Sequence, residues 1–324
     1  MSKPVVVVTD YVFPNLEPTE RIMAELGAEL RVAKSRETED VLAVSRDADG
    51  IISCYSDMNA EVIAQLDNCK VIARTGTGYN NIDVDAATKA GMYVTNVRAY
   101  CDDEVSDQAM ALLLSLARKI TFMNSEVQDG RWDEGSAKPL HRIRGKVLGL
   151  AGFGNIPRQV AVKAQGFGID VIAYDPYVDD ETYASLGVRG VSLDEMIQQA
   201  DYFSVHAPLN DETHNMFNAD AFARMKPGAL VVNTARGELI DVEALADALD
   251  SGQVAGAGLD VLPDEPPASD LRLLGRDNVI LTPHVGFYSE DSVVDLQTLT
   301  AEQVASVIRG EKPQFAVNAA ALGR

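Results

Sequence analysis

At 324 residues, 46 % hydrophobic and 24 % charged, the chain has the composition of a folded globular protein long enough for two cored domains. A formal net charge of −21 argues against nucleic acid, whose phosphates need clustered cations, and equally against anionic membranes. No apolar run approaches the ~20 residues of a membrane span, the N-terminus lacks the apolar core of a secretory leader, and three cysteines without C-x-x-C spacing read as reduced thiols rather than metal ligands. The expected setting is the cytoplasm, with no metal.

The first third alternates strand and helix patterns. Strands are expected over 5–9, 29–33, 50–54, 70–74 and 92–96, with helical stretches such as 60–66 and 84–90 between them. A long amphipathic helix is expected over 103–129, with Ala109, Leu112, Leu113 and Leu116 on its apolar face. A second series follows, with six strands over 147–151, 170–174, 202–206, 230–234, 255–259 and 279–282, and a last helix over 289–309. Repeated βα units of this kind predict an α/β protein with two doubly wound parallel-sheet domains.

The start of the second series carries the first functional signal. An apolar run from Val147 enters Gly152-Phe153-Gly154-Asn155-Ile156-Pro157, and the next apolar run, Val171-Ile172-Ala173-Tyr174, closes on Asp175. Strand, glycine turn, helix and a second strand ending in a carboxylate is the arrangement that binds a dinucleotide. The glycines admit the pyrophosphate to the backbone, the helix N-terminus offers it free N–H groups, and Asp175 accepts both ribose hydroxyls of NAD while repelling the 2′-phosphate of NADP. Pro157 stands where the pattern asks for a third glycine or alanine; proline is tolerated in a first helical turn.

Three further segments follow expected strands, at the sheet edge that faces a ligand crevice. Arg236, in Asn233-Thr234-Ala235-Arg236-Gly237, is a planar cation suited to a carboxylate. Glu265 lies in a proline-rich acidic loop beginning at Asp260, and His284 lies in Thr282-Pro283-His284-Val285-Gly286. His206 ends a strand before Ala207-Pro208-Leu209, near the expected cofactor path.

Together with Arg74-Thr75-Gly76-Thr77-Gly78-Tyr79-Asn80-Asn81-Ile82-Asp83, these segments resemble, in order and spacing, the D-isomer-specific 2-hydroxyacid dehydrogenase family. Tyr100 to Asp107 and His284 to Glu290 look closest to its C-terminal-binding-protein-like branch. Departures are Pro157 and Arg98, which stands where the family usually has proline. The resemblance implies a flavodoxin-like substrate domain of residues 1–100 and 288–324, with an inserted NAD-binding Rossmann domain of residues 101–287. It implies His284 as acid/base with Glu265 on its other nitrogen, and Arg236 on the carboxylate of a small 2-hydroxy or 2-keto acid. Thr75, Gly76, Thr77, Gly78 and Tyr100 would contact substrate. Gly152, Phe153, Gly154, Asn155, Ile156, Asp175, His206, Pro208, Thr213, Thr234, Ala235, Arg236, Asp260, His284 and Gly286 would contact NAD. The helix over 103–129 resembles the family's dimer-forming segment, so a homodimer is expected. Because the branch includes NAD(H)-sensing corepressors that recruit peptides, a binding protein is the alternative from another class. A phosphite dehydrogenase is a third reading, since Arg236 would serve that anion; formate is disfavoured, because formate enzymes of this fold carry an amide where Glu265 stands.

Overall fold

The computed structural model describes residues 3–323. In chain order the elements are β1 (Val5–Val8), α1 (Glu17–Leu26), β2 (Glu29–Val32), α2 (Thr38–Ser45), β3 (Gly50–Ser53), α3 (Ala60–Ile63), β4 (Val71–Arg74), α4 (Val84–Lys89) and β5 (Tyr93–Thr95). They continue with α5 (Asp102–Ala117), α6 (Ile120–Gln128), β6 (Val147–Ala151), α7 (Asn155–Gly166), β7 (Asp170–Tyr174), α8 (Asp180–Ser185), β8 (Arg189–Gly190), α9 (Leu193–Gln199) and β9 (Tyr202–Val205). The remainder is α10 (Ala219–Arg224), β10 (Ala229–Asn233), α11 (Val242–Ser251), β11 (Val254–Leu259), β12 (Val279–Leu281) and α12 (Glu290–Ile308). Contacts divide the chain into one unit of Met1–Cys101 with Ser289–Arg324, and a second of Asp102–Tyr288.

The first unit holds a five-stranded parallel sheet in the order β2-β1-β3-β4-β5, the flavodoxin-like order. Its strands are apolar on both faces because both are covered. Val5, Val7, Ile51, Ile72 and Val94 pack with Met58 and Val62 on one side. Val6, Val8, Ile52, Val71 and Ala73 pack with Ile22 and Met23 of α1 and Ala301, Val304 and Ala305 of α12 on the other. Each fully buried Val or Ile is worth roughly 1.5–3 kcal/mol, so a one-residue slip that exchanged the faces would be heavily disfavoured.

The second unit holds a seven-stranded parallel sheet, β12-β11-β10-β9-β6-β7-β8. Strand order reverses between β6 and β9, which pair directly, and a ligand crevice belongs at that switch. Leu148, Leu150, Val171, Ala173 and Val232 pack under α5 and α7, while Phe203, Val205, Val231, Ala257 and Leu259 pack under α9, α10 and α11.

The structure corrects two expectations. The single helix over 103–129 is two helices, because Lys119 adopts φ +53, a left-handed conformation through which an α-helical ladder cannot pass. All the buried residues of this stretch belong to α5; Ile120 and Val127 of α6 are exposed. The second sheet has seven strands, not six. The addition is β8, two residues long, against which Tyr183 packs so closely that a Cβ on Gly190 would lie 2.6 Å from its ring. No helix among the described residues is long and apolar enough to cross a membrane.

Candidate active site

The glycine turn in the second unit is set by close approach. Gly152 adopts φ +98, and a Cβ there would lie 2.8 Å from the His206 carbonyl carbon and 2.9 Å from the Ala207 nitrogen, so the ends of β6 and β9 meet only through glycine. Phe153, fully buried, turns its N–H to Asp175 Oδ2 at 2.9 Å, and the Tyr177 N–H donates to Oδ1 at 3.0 Å. The carboxylate at the end of β7 is thereby fixed beside the turn. Gly154 caps α7, and a Cβ there would meet nothing within 4 Å, leaving an open cradle in front of the helix N-terminus. Pro157 lies buried in the first turn of α7, where the N–H it lacks had no helical partner, and the helix runs on to Gly166.

Neighbouring loops complete this edge. His206 Nε2 lies 2.7 Å from Ser204 Oγ, and burial holds the ring down to about 3, so it stays neutral. Thr213 folds its hydroxyl back onto the Pro208 carbonyl at 2.6 Å, tying the 208–213 loop. Thr234 Oγ1 is buried without a hydrogen-bond partner, an orphaned polar atom directly after β10. The left-handed turn, the open cradle, the anchored carboxylate and this orphan fit a dinucleotide.

The acid/base candidates are held by two buried polar side chains that sequence reasoning did not single out for this role. Asn233, 1 % exposed, accepts from the Ala235 N–H at 3.0 Å and donates to the Arg236 carbonyl at 2.8 Å, shaping the turn that carries Arg236. A Cβ on Gly237 would lie 2.0 Å from the Leu262 carbonyl carbon, so the arginine turn abuts the acidic loop. Asp260, 3 % exposed, is a buckle: it accepts from the Thr282 hydroxyl, the Val285 N–H at 3.0 Å and the Gly286 N–H at 2.8 Å, and its carbonyl takes the His284 N–H at 2.8 Å. This buckle keeps His284 at φ +53, a strained state for a non-glycine residue. A polar residue at the end of a buried strand was the available signal: Asn233 closes β10 and Asp260 directly follows β11.

His284 Nδ1 lies 2.7 Å from Glu265 Oε2, and the Leu262 N–H donates to Oε1 at 3.1 Å. A carboxylate partner assigns the proton to Nδ1 and turns Nε2 outward. Burial alone would raise the Glu265 carboxyl, but the hydrogen bond and charge of His284, the Leu262 N–H and the charge of Arg236 together hold it below the ordinary range. Arg236 therefore lies close enough to Glu265 to act on its charge. A cavity of about 440 Å³ lined by Leu116, Phe122, Lys146, Tyr202 and Asn278 touches none of these residues.

In the first unit, the Thr75–Gly78 loop follows β4. Gly76 adopts φ +139. Its carbonyl accepts the Val97 N–H at 2.9 Å, and the Thr77 carbonyl accepts Asn96 Nδ2 at 2.7 Å. The Thr77 hydroxyl donates to the Val97 carbonyl at 3.0 Å. With these carbonyls tied to the segment after β5, the Thr77 and Gly78 N–H groups face away from it, as an anion requires. Asn96, 3 % exposed, is a third positioning residue that sequence reasoning missed. Tyr100 is partly buried on the same unit. Cys54, Cys69 and Cys101 are buried and form no disulfide among the described residues, and burial pushes the first two thiols to about 12.

Comparison with known proteins places this architecture. The description "D-isomer specific 2-hydroxyacid dehydrogenase, NAD binding domain" matches residues 110–286. D-3-phosphoglycerate dehydrogenase of Methanocaldococcus jannaschii is 38 % identical over 315 residues, 97 % of this chain and 59 % of that protein. The chain thus spans little over half the length of such relatives. A glyoxylate reductase from Paecilomyes thermophila superposes with a TM-score of 0.89 at 30 % identity, covering 98 % of this chain and 99 % of the other. D-lactate dehydrogenase from Aquifex aeolicus, solved with NAD and lactic acid, superposes with a TM-score of 0.86 at 28 % identity over 94 % of this chain and 96 % of its own. The cofactor is NAD, and the chain belongs to the D-isomer specific 2-hydroxyacid dehydrogenase family.

Proposed function

We infer that the chain is an NAD-dependent 2-keto acid reductase, interconverting a small 2-keto acid and its D-2-hydroxy acid. The observation that carries this is the 2.7 Å His284–Glu265 pair with Arg236 acting on the same carboxylate. NAD, when bound, supplies the hydride donor or acceptor for C2. The protein's own residues do the rest. Arg236 grips the substrate carboxylate in two-pronged fashion and polarises the C2 oxygen. On the first unit, the Thr77 and Gly78 N–H groups are donors suited to an anion. His284 Nε2 gives its proton to the C2 oxygen during reduction and recovers it during oxidation. Glu265 holds Nδ1–H throughout, fixing the tautomer and stabilising the imidazolium. Asp175 accepts the ribose hydroxyls. The same reading makes the enzyme cytoplasmic and homodimeric.

The test is NADH turnover against a panel of 2-keto acids, with wild type and His284→Ala. The variant is expected to lose about 10²–10⁴ in kcat while NADH affinity is retained. Wild-type turnover in His284→Ala would reject the assignment. NADH binding without reduction of any panel member, together with peptide capture, would favour the corepressor-like alternative.

A further inference from the structure

Within the second unit, α5 lies along β11 in step with it. Four helical residues advance about 6 Å and two strand residues about 6.6 Å, so every fourth residue of the helix meets every second residue of the strand. Leu116 stands over Gly256, where a Cβ would fall 3.2 Å from Leu116 Cδ2, and Leu112 over Gly258, where one would fall 3.0 Å from Leu112 Cβ. The next pair in the series is Gln108 and Asp260. A Cβ on Gly286 would lie 3.3 Å from Gln108 Cγ and 2.8 Å from Asp260 Oδ2. The stripe that buries Leu116 and Leu112 thus ends in an amide, where packing alone asks for another apolar residue. Lys163 of α7 fixes the register, donating to Ser106 Oγ and to Asp107 Oδ1, both at 2.7 Å.

The amide has a partner across the stripe. Gln108 Nε2 donates to Thr282 Oγ1 at 3.0 Å, and the Thr282 hydroxyl donates to Asp260 Oδ1. A hydroxyl carries one proton and two lone pairs. With that proton committed to Asp260, Oγ1 can only accept, so the amide must present Nε2 rather than its oxygen. Conversely, an N–H seated on the lone pair stops the hydroxyl from rotating away from Asp260. The relay from Gln108 through Thr282 to Asp260 therefore runs in one direction, each bond polarising the next. Asp260 in turn accepts the Val285 and Gly286 N–H groups, and its carbonyl takes the His284 N–H.

We propose that Gln108 is a positioning residue for the acid/base loop: its amide locks the Thr282 hydroxyl onto Asp260 and so helps to hold His284 at its left-handed backbone angle. This rests on the reading of His284 as the acid/base.

The test uses two variants that remove the donor, Gln108→Met, which keeps the length and suits the apolar stripe, and Gln108→Glu, which keeps the shape. Each is expected to lower kcat for NADH-dependent reduction of a 2-keto acid about 5- to 30-fold, the worth of a buried hydrogen bond whose partner is left unsatisfied. Each should also speed hydrogen exchange at the Val285 and Gly286 amides about tenfold, a readout independent of turnover. Melting temperature and ADP-ribose affinity, which report the rest of the unit, should stay near wild type. Thr282→Val should cost as much in kcat, and adding Gln108→Met to it should cost less than about twofold more, because the amide then has no hydroxyl to hold. A glutamine that only packs would give losses that multiply in the double variant. Multiplying losses, or wild-type exchange at the two amides in both Gln108 variants, would overturn the proposal. Faster exchange in both variants without reduction of any keto acid by wild type would sustain Gln108 as the anchor of the loop and defeat the reductase reading. His284-dependent reduction with exchange untouched by Gln108 would do the reverse.

Discussion

His284 is held against its own backbone preference, and the residue that holds it is Asp260. Replacing Asp260 with alanine strands two backbone N–H groups and a hydroxyl in a site only 3 % exposed. At about 1–3 kcal/mol for each unsatisfied buried group, Asp260→Ala is expected to cost on the order of 3 kcal/mol in urea unfolding and to lower kcat with it. An unchanged unfolding midpoint would show that the buckle is dispensable. His206 makes a second prediction. Its native value of about 3 lies below the ~6.5 of an unfolded histidine, so between those values the unfolded chain binds the extra proton. Stability contributed by the neutral ring is therefore complete above about pH 6.5 and falls as pH drops toward 3, by on the order of 3 kcal/mol at pH 4.5. Melting temperatures followed from pH 7 to 4.5 should show this slope, and His206→Asn should flatten it. At this scale the sequence identified the groups with distinctive chemistry, such as His284, Glu265 and Arg236. It did not identify Asn96, Asn233 or the buckling of Asp260, because an amide or acid at the end of a strand looks the same whether it is solvated or ties a loop.

The glycine turn separates folding from binding within one element. Gly152 is left-handed and pressed against β9, whereas Gly154 has an ordinary φ of −74 and open space where a methyl would stand. Gly152→Ala should therefore lower both the melting temperature and NADH affinity. Gly154→Ala should leave melting nearly unchanged while weakening NADH at least about tenfold, since its methyl stands in the path of the pyrophosphate. Equal melting losses in the two variants would refute this division of labour. Element types were legible where burial imposes a pattern. The β6 and β7 strands lie over 147–151 and 170–174, and most other strands end within a residue of where their apolar runs stop. The legible pattern ran out where packing was local. The helix over 103–129 reads as continuous because Arg118 and Lys119 are good helix formers; only the backbone reversal at Lys119 divides it. Two-residue β8 carries no alternation to read.

For the whole molecule, the proposed homodimer can be followed through Trp132, the chain's one tryptophan and 89 % exposed on the segment after α6, the helix that exposes Ile120 and Val127. If this face pairs two copies, light scattering at micromolar concentration should give twice 34.9 kDa, and iodide should quench Trp132 less as the protein is concentrated. A monomer mass with constant quenching would remove the dimer. The last consequence comes from α12. This helix lies over β3 and β4 so closely that a Cβ on Gly50 would come within 2.7 Å of Val304, yet it is encoded after everything in Asp102–Tyr288. On the ribosome the first sheet to emerge is thus the last to be covered. The inserted unit can close while the strands begun at Val5 still wait, one face covered by α1 alone, for a helix not yet synthesised. The usual order of vectorial folding is inverted, and the interval during which β1, β3 and β4 stay sticky is set by the time taken to translate the insertion.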